Sequence, residues 1–385
     1  MKVTQVYSLM NDIAQQAWGE DAIAVQDLTG LISLGNKTFS SSTDIDNFLK
    51  VLVDRIGRTV IRNLDLEINY PNIVRDGFEF GAVLQKISVQ PLGAEAATQW
   101  DVGSAGYTPD QFRIRKANVV QSLFSDVNTW MFMVTVPDVQ FKSAFTSAKA
   151  MGAFIDAIIN SLTESMTMSL NNANRTCVNN FIGEKIHAGN NLVHLLTEYN
   201  AIAPTPITAT NAIYDKDFLR FMGKRISDYI RYLNEPSVRF NEDNLVRRTA
   251  RDNMHVFLID EVASAFSTYL ESDTFNYQLL DRLPLYQPVT AWQSAFADDG
   301  QGAPEAMPDF ATATTIDIKT TSGDAVKQSY VVCCLADREA LGTTIYDLNT
   351  ATDRNNMDRY TNYSESATIG YFNDLSENGI VFVID

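Results

Sequence analysis

The chain of 385 residues is short of the residue types that staple a fold or carry chemistry, with three cysteines and three histidines. Two of the cysteines, Cys333 and Cys334, are adjacent, and Cys177 leaves the number odd. That excludes a disulfide framework and points to free, buried thiols in a reducing compartment. The histidines are His187, His194 and His255. His187 and His194 have a spacing that one helix face would accept, but Gly189 and two asparagines intervene and no His-Glu-x-x-His pattern occurs. His255 reads as a residue at the end of a strand. A Gly-x-Ser-x-Gly elbow is absent too, and no pair of acids stands out. Neither a metal nor a cofactor is expected. The stretch GLISLGNKT has the glycines of a phosphate loop, but Asn36 stands between Gly35 and Lys37, where that loop needs lysine at once. No apolar run reaches the ~18 residues of a membrane span. The N-terminus MKVTQVYSLMNDIAQQAWGED lacks the apolar segment and cleavage site of a secretory signal, so production and use in a cytoplasm are expected.

What is present is a globular composition with a strong acidic excess. At 45% hydrophobic and 20% charged, the chain can bury two or three real cores. The formal net charge of -17 argues against a protein that grips nucleic acid over its whole surface, because phosphate neutralisation needs an excess of Lys and Arg. It also makes copies of the chain repel one another.

Along the chain, Val6, Leu9, Met10, Ile13 and Ala17 have helical spacing. GLISLG reads as a strand or turn between two glycines. Ser42 or Thr43 caps a helix starting near Asp44, with Ile45, Phe48, Leu49, Leu52, Ile56 and Val60 on one face. Within it, VLVDRIGRTVIRN carries Asp54, Arg55, Arg58 and Arg62 off the apolar stripe. Arg55, Arg58 and Arg62 share a face. Either that face is solvated, or it is an arginine row meeting acids on a neighbouring subunit.

Residues 64–136 are extended and two-faced. Phe112 and Ile114 alternate with Arg113 and Arg115, and Gly- and Ala-rich turns separate the strands. A long hairpin fits better than a sandwich, and such an arm needs a partner surface. From Ser143 to about Glu184, Phe145, Ala148, Met151, Ile155, Ile158, Ile159, Leu162, Met166 and Leu170 recur every three or four residues. This is the longest helix candidate, with NNANRTCVNN as a point of kinking. Residues 190–345 read as an α/β lobe. KDFLRFMGKRISDYIRYLNEP is an amphipathic helix, MHVFLID a buried strand and EVASAFSTYLES a helix. ATTIDIKTTSGDAVKQSYVVCCLAD reads as one hairpin, ALGTTIYDL as a short helix and ATIGYFNDLSENGIVFVID as a final strand. The basic residues of 216–251 are balanced by acids, which favours a mixed surface over a nucleic-acid patch.

This order of parts resembles the major capsid proteins of tailed bacteriophages, the Hong Kong 97 phage fold. The likeness is greatest to small short-tailed phages with protein-primed genomes. FLKVLVDRIGRTVIRN resembles that family's segment entering the extended loop, and SAFTSAKAMGAFIDAIINSLTESM is similar to its spine helix. MHVFLIDEVASAF and YVVCCLADREAL look like strand–helix units of its A-domain. The resemblance implies an α+β Hong Kong 97-type capsid fold with N-arm, extended β-hairpin E-loop, P-domain with a long spine helix, and α/β A-domain. Residues 1–63 would be the N-terminal arm and short helix, and 64–136 the E-loop with P-domain strands. Residues 137–190 would carry the spine helix, 191–345 the A-domain, and 346–385 a return to the P-domain sheet. No long helical scaffold-like extension is expected ahead of the arm, and no immunoglobulin-like domain is expected at the C-terminus.

It further implies a non-enzymatic shell subunit in the virion, assembled in the host bacterial cytoplasm. Its partners would be itself in hexamers and pentamers, a portal protein, and packaged double-stranded DNA held without sequence specificity. Scaffolding, where needed, would come from a separate protein, and no membrane is involved. Inter-subunit contacts would fall to Arg55, Arg58, Arg62, Arg113 and Arg115. An encapsulin-like bacterial compartment uses the same fold, and an α/β enzyme is the more distant alternative.

One consequence follows from the charge. Because like-charged copies repel over a Debye length of about 8 Å at physiological ionic strength, assembly followed by light scattering is expected to speed up as salt rises. Slower growth at high salt would contradict this.

Overall fold

The computed structural model describes residues 3–64, 70, 72–75, 84–93, 116–125, 127–271, 283–293, 309–355, 357 and 359–385. Its helices begin with α1 (Val3–Trp18), α2 (Leu28–Thr38), α3 (Ser42–Leu64), α4 (Asp138–Ala144) and α5 (Ala148–Ala188). They continue with α6 (Leu195–Asn200), α7 (Ala209–Ala212), α8 (Lys216–Leu233), α9 (Asp260–Phe266) and α10 (Phe310–Ala313). The first strands are β1 (Val74–Arg75), β2 (Leu84–Val89), β3 (Val119–Phe124), β4 (Val127–Pro137), β5 (Leu192–His194), β6 (Met254–Ile259) and β7 (Tyr286–Val289). The rest are β8 (Ile316–Lys319), β9 (Ala325–Gln328), β10 (Val331–Asp337), β11 (Leu341–Asn355), β12 (Tyr360–Asn373) and β13 (Gly379–Val383). These elements fall into two compact units, the first made of 1–80, 127–176 and 343–371, the second of 81–126, 177–342 and 372–385.

The first unit packs helices on one face of a sheet of order β1-β11-β12-β4. β12 and β4 are antiparallel from Tyr360↔Pro137 to Gly370↔Val127, and β1 is parallel to β11. Met151, Ile155, Ile158, Leu162, Met166 and Leu170 of α5 form a continuous stripe buried with Tyr363, Ala367 and Ile369 of β12. Where the helices meet lies an aromatic cluster. Phe48 packs on Trp18 and Phe145 with centroids 5.7 and 5.9 Å apart, and Phe141 on Phe145 at 5.3 Å. The segment expected as an arm and short helix thus carries three helices whose apolar stripes, Val6/Met10/Ile13, Leu31/Leu34 and Ile45/Phe48/Leu49/Leu52, enter one core.

The second unit is built on a mixed sheet of order β5-β13-β10-β6-β7. β10 lies antiparallel to both β13 and β6, while β5 and β7 join in parallel. β6, β10 and β13 are buried along their whole length, which is why they read as unbroken apolar runs. Helices lie on both faces. An added Cβ at Gly379 would meet the ring of Phe181 from α5, while Phe382 packs on Tyr229 of α8 at 5.4 Å. Positions 379 and 382 of a strand point to opposite faces.

Several sequence expectations need correction. GLISLG lies in helix α2 and is neither strand nor turn. Asp27 accepts a hydrogen bond from the Gly30 N–H at 2.8 Å and caps the helix, and Leu31 and Leu34 supply its buried stripe. Gly35 serves close packing, since a Cβ there would sit 2.9 Å from the ring carbons of Phe145. Helix α3 is capped by Ser41, whose Oγ accepts from the Asp44 N–H at 3.1 Å, not by Ser42 or Thr43. The run NNANRTCVNN does not interrupt α5. Asn174 is buried and accepts from the Thr343 hydroxyl at 2.6 Å, while Asn179 donates to the Trp292 carbonyl at 2.6 Å.

ALGTTIYDL belongs to strand β11, where β-branched Thr343 and Thr344 pair with Val74 and Arg75. The expected single hairpin divides. β8 pairs with β9, then the chain turns at Tyr330, with φ +59°, and β10 enters the five-stranded sheet. The expected final strand is two: β12 joins β4 in the first unit, and β13 joins the sheet of the second.

Replacing Gly35 by alanine tests the close approach of Phe145. Helix propensity alone would favour alanine by about 1 kcal/mol. The ring contact is expected to win at about 1–3 kcal/mol, so thermal unfolding should fall. A rise would show that Phe145 does not pack there.

Candidate assembly surfaces

In an antiparallel pair, directly opposed residues share a face. The β2–β3 register runs from Leu84↔Phe124 to Val89↔Val119, so it sorts the ribbon into two unlike faces. Lys86, Ser88, Val120, Ser122 and Phe124 lie on one. Gln85, Ile87, Val89, Val119, Gln121 and Leu123 lie on the other.

The first face is half-buried and tied to its own unit by ions. Lys86 Nζ lies 2.8 Å from Asp374 Oδ2 and 2.7 Å from Glu377 Oε1, and donates to the Glu339 carbonyl at 3.1 Å. Arg247 Nη1 lies 3.2 Å from the same Glu377 oxygen, and Arg247 Nη2 donates to Ser88 Oγ at 3.1 Å. The Val246 N–H donates to Gln90 Oε1 at 2.9 Å, and Phe124 packs on Phe372 at 5.4 Å. The acid side chains are 4% and 8% exposed, so these pairs are screened far less than ordinary surface pairs.

The acids stand on the tight turn between β12 and β13, whose shape is set by Asp374 accepting from the Ser376 N–H at 3.0 Å. From below, the buried Lys185 of α5 donates to Glu242 at 3.2 Å and to the Leu375 carbonyl at 3.3 Å. Burial pushes the Lys185 ammonium below its usual range, against the pull of Glu242. Burial raises the Glu377 carboxyl, opposed by its hydrogen bond from Lys86. Asp337, also raised by burial, accepts from Thr249 Oγ1 at 2.5 Å.

The outer face of the ribbon is apolar and open. Ile87, Val89, Val119 and Leu123 are 59, 59, 54 and 61% exposed. A patch of that kind marks an interaction surface. The first unit has an uncharged face of mixed polarity on β4 and β12. Thr129, Met131, Met133 and Thr135 of β4 are exposed, and their partners on β12 are Thr368, Ser366, Ser364 and Asn362. β4 contains no charged residue, and methionines adapt to varied surfaces.

The residues singled out from the sequence are placed unevenly. Arg55 lies in α3, half-buried. Arg58 and Arg62 belong to the same helix, but their side chains fall outside the described residues, as do Arg113 and Arg115 altogether. The three cysteines are free and buried, and burial pushes the thiols of Cys177 and Cys334 up to about 12. His194 Nδ1 lies 2.6 Å from Asp385 Oδ1 and His187 Nε2 lies 3.6 Å from Asp324. His255, the second residue of β6, is fully buried and stacks on Phe257 at 5.9 Å. Among the described residues no cluster of three or more His, Cys, Asp or Glu is placed to hold a metal, and no helix is long and apolar enough to cross a membrane. Sequence reasoning missed the Lys86 anchor, because its acid partner Asp374 is 288 residues away and no local pattern links them.

The chain's likeness to known proteins agrees with a surface built for assembly. A capsid structure of Staphylococcus phage Andhra contains a chain matching with TM-score 0.53 at 10% identity, covering 83% of this chain and 85% of that one. A chain in the structure of the head fiber and inner core protein gp22 of native bacteriophage P68 matches with TM-score 0.52 at 9% identity, over 83% of this chain and 86% of that one. At such identities the likeness is one of fold, here the Hong Kong 97-type capsid fold. A search among curated proteins returned no match. The family model for the Phi29-like phage major capsid protein matches residues 8–383, nearly the whole chain. The chain therefore belongs to the Phi29-like phage major capsid protein family and is a structural subunit of a virion shell.

Proposed function

We propose that this subunit closes a shell by laying the open face of its β2–β3 ribbon on a second copy of itself. The observation that carries the reading is the division of the ribbon: one face ion-paired to its own unit, the other apolar and uncovered. The partner is a copy of the chain because the family is one of self-assembling shells. An arm crossing to a neighbour makes head-to-tail contacts that close into rings, here hexamers and pentamers of a head that encloses double-stranded DNA. In this reading 1–63 is the N-terminal arm, 64–136 the extended loop and 137–190 the spine helix segment. Residues 191–345 line the ring axes as the A-domain, and 346–385 return the chain. Catalysis has no part in it. A portal protein occupies one vertex, and any scaffold is a separate protein. The net charge of -17 suits a wall along which DNA slides during filling.

Two substitutions test the ribbon from its two sides. Leu123→Asp on the open face is expected to leave the melting temperature of the isolated subunit unchanged and to abolish shells in electron micrographs; normal shell yield would overturn the reading. Lys86→Met leaves Asp374 and Glu377 facing an apolar side chain, at a cost of about 3 kcal/mol. It is expected to speed hydrogen exchange in 84–89 and 119–124 while β6 and β10 stay protected.

The arginine row is a separate proposal: Arg55, Arg58 and Arg62, with Arg113 and Arg115 on the loop, donate ion pairs to acids of a neighbouring copy. Arg58→Glu is then expected to impair assembly of a folded subunit. Unchanged assembly would assign the row to solvent.

A further inference from the structure

Strand β12 carries one ionisable carboxyl on the face that packs against α5. Glu365 is 1% exposed, and among the described residues neither of its carboxylate oxygens has a hydrogen-bond partner. It stands directly opposite Phe132 of β4. Its same-face neighbours Tyr363 and Ala367 are buried in one core with Leu162, Met166 and Leu170 of α5. The hydroxyls of Thr163 and Thr167 on α5 and of Tyr363 are likewise buried without partners. A carboxylate buried without a hydrogen bond is costly, whereas a neutral acid costs far less to bury.

Among the described residues no opposite charge acts on the Glu365 carboxyl. β4 contributes no ionisable side chain, since Val127–Pro137 contains none. β12 itself adds the Tyr363 phenol, pushed up by burial. Within the first unit α5 holds Lys149 and Glu164, both exposed, and Asp156 and Arg175, both half-buried. β11 holds Asp347, Asp353 and Arg354, and the Arg354 guanidinium is engaged by Asp138 at 2.8 Å. Burial alone shifts the Glu365 carboxyl, from 4.5 up to about 7.

We propose that Glu365 is a proton-operated latch: as a neutral acid it lets the sheet seat against α5, and its ionisation prises the two apart. The native state then holds a proton that the unfolded chain has already lost between about pH 4.5 and 7, so stability falls as pH rises through that window and levels off above it. The latch is independent of the ribbon, which belongs to the other unit.

The test compares the full-length wild type with Glu365→Gln, which keeps the shape and cannot ionise. Melting temperatures are measured at constant ionic strength from about pH 5 to pH 8. The general repulsion of an acidic chain affects both proteins, so the readout is their difference. It is expected to be small near pH 5 and to grow to several degrees in favour of Glu365→Gln by pH 8. Parallel curves would overturn the proposal, as would a constant offset, which marks a merely structural role. Should the variant not fold, hydrogen exchange of the wild type decides. Protection of the Leu162–Leu170 amides, corrected for intrinsic exchange, should drop through neutrality while that of β6 and β10 holds. A uniform loss would overturn the latch.

Discussion

A two-stranded ribbon cannot stand alone in water, and the rest of the second unit is arranged around that constraint. Two strands have one hydrogen-bonded seam and no second layer on which to bury a face. Here the missing layer is replaced by ions. Lys86 and Arg247 converge on Glu377, and Lys185 approaches the same turn from α5. An ion pair alone is a weak source of stability, because desolvation cancels much of its attraction. Its strength as an anchor is direction. A cation between two fixed acids tolerates less sliding than an apolar contact does, so the ribbon keeps its open side facing outward. Apolar packing on both faces would have stabilised the subunit more and left the ribbon without an open side.

The two units answer the burial problem differently. In the first, the α5 stripe packs on β12, and β4 alternates between half-buried and exposed residues. In the second, helices cover both faces and the central strands lose all alternation. That contrast follows from one-sided and two-sided burial. It also decides where open surface exists.

The same contrast sets how much of the molecule was legible. Helical stripes such as Val6/Met10/Ile13 and the α5 series could be read directly, because a buried face forces a period on the sequence. So could β6 and β10. What failed was short and ambiguous: GLISLG has a helical pair, Leu31 and Leu34, but its glycines look like turn residues until Phe145 is seen against Gly35. ALGTTIYDL has β-branched residues that a strand prefers, but its partner β1 is two residues long and lies far upstream. The extended character of 64–136 was read from the alternation of Phe112 and Ile114 with Arg113 and Arg115, which lies outside the described residues. The ribbon's anchor was not legible, because Lys86 is one lysine among many until the fold brings the β12–β13 turn beneath it.

The charge of the whole and the character of its open faces fit together. A subunit carrying -17 must bring many copies close in a shell. Beyond about a Debye length, salt removes most of that repulsion. At contact distance it does not, and any acid placed there costs more as water is squeezed out. The open side of the ribbon, Gln85, Ile87, Val89, Val119, Gln121 and Leu123, has no charged residue, and neither has β4. Those six ribbon residues and β4 therefore bring no charge of their own to a contact made there. In the proposed contact, long-range repulsion between copies is opposed by short-range burial of apolar surface.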